Sequence, residues 1–136
     1  MKYKAIFLDF EVFVKDWLVC ITEMWLENGE VKTNELEIIN NRKELIQYYW
    51  ANYKRSIFIG HNISRYDYPI FISIMEGCNP YEVNNKLING KEHWKMANPS
   101  FVPNWKNYVF HLIDSYQDAS KLPLKAYVII LIAITN

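Results

Sequence analysis

Two carboxylates, Asp9 and Glu11, close an otherwise apolar run from Ala5 to Phe13. Side chains two apart in a strand share a face. A strand here places Ala5, Phe7, Asp9, Glu11 and Phe13 on one side and Ile6, Leu8, Phe10 and Val12 on the other. Like charges held this close raise each other's pKa unless a proton or cation intervenes. A divalent metal is the usual partner, because hard cations take carboxylate oxygens. The plainer alternative is an edge strand whose polar residues face water.

A second polar group follows the short apolar run Ser56-Ile57-Phe58-Ile59-Gly60. It reads His61-Asn62-Ile63-Ser64-Arg65-Tyr66-Asp67-Tyr68-Pro69. Glycine at a strand end permits close backbone approach. Asp67 stands where a helix would begin, a position that favours a carboxylate. Taken alone, Asp67 reads as a helix cap and Asn62 as a turn residue.

The elements that must position these residues are legible from periodicity. Tyr3 to Phe10 is a first strand and Trp17 to Glu27 a second. Asn28-Gly29 is a hairpin turn, since both residues tolerate positive φ. Val31 to Ile39 returns as a third strand. Asn40 or Asn41 can cap a helix over Arg42 to Lys54, with Tyr48, Tyr49 and Trp50 as a face and flank packed on the sheet. Ser56 to Gly60 suits a parallel strand covered on both faces. Helices follow from about Tyr68 to Glu76 and from Pro80 to Asn89. Lys91 to Asn107 is irregular, Tyr108 to Ile113 is a strand ending at Asp114, and Ser120 opens a turn or helix. The order predicts an α/β fold with a mixed sheet, an antiparallel meander then parallel strands, flanked by helices. Ligands of such sheets gather beyond the strand ends, where Asp9 and Glu11 stand.

Together the two polar groups resemble the first two motifs of the proofreading 3′–5′ exonuclease domain of family B DNA polymerases, the phage and plasmid type. That family carries Asp-x-Glu on its first strand and Asn-x-x-(x)-Phe/Tyr-Asp after a later one. Here the matches are Asp9-Phe10-Glu11 and Asn62-x-x-x-Tyr66-Asp67. His111-Leu112-Ile113-Asp114-Ser115 and Leu122-Pro123-Leu124-Lys125 are similar to later family segments, so the resemblance spans about residues 3 to 126. It implies a ribonuclease-H-like fold. It implies Asp9, Glu11 and Asp67 as catalytic metal ligands, with Asp9 bridging two Mg²⁺ or Mn²⁺ ions that activate water and stabilise the phosphodiester's attacking and leaving oxygens. Asn62 and Tyr66 would contact the 3′-terminal nucleotide of single-stranded DNA. Phe10 would lie near its base or sugar, or serve as a core side chain on the opposite face.

The family's third motif, Tyr-x-x-x-Asp, is missing. Tyr116-Gln117-Asp118 has the wrong spacing, and Tyr127 is followed by Ile130 and Leu131. Val12 stands where the family frequently has Thr. Lys125 is the last charged residue, and Val128 to Ile134 is an apolar, β-branched run that is an aggregation liability if exposed. The expectation is a partial exonuclease domain over 1–125 and an aberrant or truncated apolar tail over 126–136. The chain would then be the N-terminal fragment of a polymerase, inactive or nearly so by itself, with the remainder of the polymerase as a partner. The alternatives are a free-standing nuclease of the same superfamily and a non-catalytic nucleic-acid-binding module on the same scaffold.

Bulk composition limits other classes. Lys plus Arg and Asp plus Glu each number 15 in 136 residues, so there is no general attraction to nucleic acid or membrane. Cys20 and Cys78 lack metal spacing and read as reduced thiols, and His61, His93 and His111 form no zinc pattern. No secretory leader is visible, and Val128 to Ile134 is shorter than the roughly 20 residues a bilayer needs. The expected location is cytoplasmic, in a host cell if the gene is a phage's. Lys91 to Lys106 interleaves aromatics with cations, a mixture that suits single-stranded DNA or a surface excursion pinned by tryptophans.

Overall fold

The Asn28-Gly29 hairpin sets the register of the sheet. Asn28 (φ 53°) and Gly29 (φ 78°) are both left-handed, the pairing a tight two-residue turn requires. The turn joins β2 (Trp17–Glu27) to β3 (Glu30–Ile39), with Glu27 opposite Glu30. β1 (Lys4–Val12) pairs antiparallel with β2, Asp9 facing Cys20. Helix α1 (Arg42–Asn52) leads through a 3-10 turn, Tyr53–Arg55, into β4 (Ser56–Gly60). Then come α2 (Asp67–Met75), α3 (Pro80–Asn89) and β5 (Leu112–Asp114). The computed structural model describes residues 3–89 and 99–114. The expectations for 91–98, Tyr116–Asp118, the turn at Ser120 and the 126–136 tail lie outside the described residues.

The sheet has five strands in the order β3-β2-β1-β4-β5. β1 is antiparallel to β2 and β2 to β3, whereas β4 runs parallel to both β1 and β5. This is the expected α/β architecture, a mixed sheet with flanking helices. The carboxyl ends of β1, β4 and β5 therefore share one edge.

Alternation along β1 divides the core. Ile6, Leu8 and Phe10 join Val19 and Ile21 of β2 against the helices. All nine residues of α2 are buried, as an all-round apolar helix must be. The opposite face holds a smaller cluster of Ala5, Met24 and Ile59, with Phe7 and Ile113 against it. Asp9 and Glu11 continue that face and are exposed. Among the described residues no helix is long and apolar enough to cross a membrane.

Three local expectations are refined. Asn41 is the α1 cap, its Oδ1 accepting from Glu44 N at 3.0 Å. Asn40 instead ties the sheet, accepting from Trp17 N at 2.8 Å. Strand β5 is shorter than the expected Tyr108–Ile113, because the Tyr49 hydroxyl accepts from Val109 N (2.7 Å) and donates to Val109 O (2.8 Å). That pairing takes Val109 out of any ladder. Tyr49 is buried as expected, but Trp50 is 51% exposed rather than packed on the sheet.

Candidate carboxylate site at the strand ends

β1 outruns its parallel neighbour. The β1–β4 register ends with Phe7 opposite Ile59, leaving the rest of that β1 edge without a strand partner. Asp67 takes over: its Oδ1 accepts from Phe10 N at 2.9 Å. A side chain 57 positions away thus satisfies a main-chain donor that would otherwise be buried and unpaired. Gly60 lets the chain turn off at this point. A Cβ there would lie 3.1 Å from both the Leu8 carbonyl oxygen and Ile63 Cβ, a tight approach that glycine avoids.

The turn after Gly60 is held from β5. Asn62 is left-handed at φ 60°, and its carbonyl accepts from Arg65 N (3.2 Å) and Tyr66 N (3.0 Å). Asp114, buried at 2% exposure, accepts from Asn62 N at 2.8 Å and from Ser64 N at 3.3 Å. The Ser64 hydroxyl donates to the same carboxylate at 2.7 Å. Tyr66 comes next, its hydroxyl donating to Asn84 Oδ1 of α3 at 2.6 Å. Asp67 then opens α2, where the helix dipole favours its charge.

The electrostatics bring the sequence-expected residues to one place. Burial pushes the Asp67 carboxyl up to about 7, and the nearby Asp9 charge adds to the rise, against the Phe10 hydrogen bond that lowers it. Burial likewise pushes the Tyr66 phenol up to about 12, with Asp67, Asp9 and Glu11 each contributing. The Cys20 thiol, opposite Asp9, is raised by burial, by Glu37, and then by Asp9 and Glu11. Among the described residues Asp9, Glu11 and Asp67 form no ion pair.

Asp9, Glu11, Tyr66 and Asp67 therefore form one neighbourhood, and Asn62 shapes the turn that delivers the last two. Phe10 takes the core alternative: it is 3% exposed, with its ring 5.5 Å from that of Phe71. Only its main-chain N–H reaches the site. Sequence reasoning placed Asp114 at a strand end without a task, and it missed Ser64 and Asn84. An acid closing an apolar run was the available signal for Asp114; the other two partners carry none.

Carboxylate oxygens are the donor type a hard divalent cation takes, and Asp9 is near enough to Asp67 for its charge to be felt there. The donor count does not close a site: among the described residues no group of three or more His, Cys, Asp or Glu side chains is placed to hold one ion. Asp67 is buried and fixed, whereas Asp9 and Glu11 are exposed. No protein-family model, curated protein or solved structure matches the chain.

Proposed function

We propose that the chain carries most of a metal-dependent 3′–5′ exonuclease domain, of the kind family B DNA polymerases use, on a ribonuclease-H-like scaffold. It would belong to the N-terminal part of such a polymerase. The observation that carries this reading is the meeting of Asp9 and Glu11 with Tyr66 and Asp67 at the carboxyl ends of β1 and β4. The meander followed by parallel strands supports the scaffold.

In this reading Asp9, Glu11 and Asp67 would hold Mg²⁺ or Mn²⁺, and the substrate would be the 3′ end of single-stranded DNA. The chemistry such ions supply when bound is activation of water and stabilisation of charge on phosphoryl oxygens. The residues' own work is positional. Asp114 and the left-handed Asn62 fix the turn, Asn84 anchors the Tyr66 hydroxyl, and Tyr66 offers its half-buried ring beside the terminal nucleotide. Asp67 must lose its proton to act as a ligand, so cation binding should release a proton near neutral pH.

The test is binding of a 5′-labelled single-stranded oligonucleotide with Mn²⁺ and with EDTA. Binding should be tighter in Mn²⁺, and that gain should vanish in the Asp9→Ala/Glu11→Ala variant. Affinity indifferent to Mn²⁺ would sink the reading. It would favour a non-catalytic nucleic-acid-binding module on the same scaffold. Degradation should stay close to a buffer blank, because the third motif is missing from the sequence. A ladder shortening from the 3′ end, lost in the double variant, would show that a further ligand is supplied after all.

A further inference from the structure

Trp50 is half exposed at 51%, yet it stands against the fully buried Tyr49, with ring centroids 5.0 Å apart, and the partly buried Tyr53 and Tyr108. It meets Tyr53 edge to face, with centroids 5.3 Å apart at 87°, and Tyr108 at 6.1 Å and 44°. Tyr53 in turn stacks on the fully buried Tyr49 at 5.1 Å and 17°. The core beneath Trp50 is thus already closed by Tyr49, so sealing it does not account for the tryptophan. Rings rooted in the core brace it in place.

Cations flank these rings. Lys54 Nζ lies 5.8 Å from the Tyr53 centroid, and exposed Arg55 adjoins it. Lys106 Nζ lies 5.7 Å from the centroid of Trp105, whose carbonyl accepts from Tyr108 N at 3.3 Å. Glu76, an acid bordering the patch, accepts hydrogen bonds from the Tyr108 hydroxyl and from Asn104 Nδ2. The whole chain has zero net charge, so this local excess of cations is not the by-product of a basic protein.

The patch lies where α1 hands over to the amino end of β4. The carboxylates lie beyond the other end of the parallel strands, separated from it by the five residues of β4, roughly 17 Å. We propose that this patch is a second binding surface, for single-stranded nucleic acid, with a base stacking on Trp50 and phosphates meeting Lys54 and Arg55. Aromatic faces bordered by ammonium and guanidinium groups complement a polyanion whose bases are unpaired, whereas a duplex hides its base faces. This surface does not depend on the carboxylate reading.

The experiment is fluorescence anisotropy of a labelled short oligothymidylate with the full chain in EDTA at low salt. Trp50→Ala should weaken binding about 5- to 150-fold, the span expected for loss of one stacked base. Trp50→Phe should keep most of the affinity. Lys54→Glu/Arg55→Glu should weaken binding and flatten its dependence on salt. An abasic strand of equal length should bind poorly. Wild-type affinity in Trp50→Ala or equal binding of the abasic strand would each overturn the proposal. So would a dimer in sedimentation that disappears in Trp50→Ala, which would make a second copy the occupant.

Discussion

Asp67→Asn should stabilise the chain by on the order of 2–4 kcal/mol at about pH 8 and by almost nothing at about pH 3. The Asp67 carboxyl sits near 7 in the folded protein against an ordinary 3.8, raised by burial and then by Asp9. A raised acid means that the native state holds the proton more tightly than the unfolded chain does. Its contribution is complete below the unfolded pKa of roughly 4 and is lost as pH rises through about 7. Above that, folding must bury a charge beside another of the same sign. Asparagine keeps Oδ1 as an acceptor for Phe10 N and never ionises, so it removes that load. The check is urea denaturation of both proteins at the two pH values. Equal or lower stability of Asp67→Asn at the higher pH would show that the carboxylate carries no such penalty. A residue that is worse for stability than its neutral isostere is what a ligand-binding group should look like.

Asp114→Ala should have the opposite sign, costing about 2–4 kcal/mol, because it leaves three donors without their acceptor. Those donors are Asn62 N, Ser64 N and the Ser64 hydroxyl. The damage should be directional. Amide exchange at Asn62 and Ser64 should speed up well beyond what the loss of global stability explains, while the β2–β3 hairpin exchanges at the globally expected rate. Uniform acceleration throughout the sheet would mean that Asp114 supports the fold at large and not the turn that delivers Tyr66 and Asp67.

The meander was readable because its signals are local. Period-two alternation in β1, the Asn28-Gly29 turn and the Asn41 cap each act within a few residues. Asp9 and Glu11 stand out for a similar reason: acids closing an apolar run conflict with their surroundings, whereas Asp67 reads alone as a helix cap and is singled out only by the resemblance. What stayed illegible depends on partners far apart in sequence. Nothing near Val109 shows that Tyr49, 60 positions earlier, will occupy its main chain and shorten β5. Nothing near Tyr66 points to Asn84. Trp50 follows Tyr48 and Tyr49 in an aromatic run, and because successive helix residues point about 100° apart, Tyr49 on the Leu45 face turns inward and Trp50 outward.

In the proposed function the strand-end carboxylates would form a divalent-cation site. The deciding measurement is calorimetric titration of Mn²⁺ into the full chain just below neutral pH, where Asp67 still largely holds its proton, with Asp9→Ala/Glu11→Ala and Asp67→Asn measured alongside. Saturable binding that releases protons, weakened or lost in both variants, is the predicted result. No heat from the wild type, or the same isotherm from all three proteins, would contradict it.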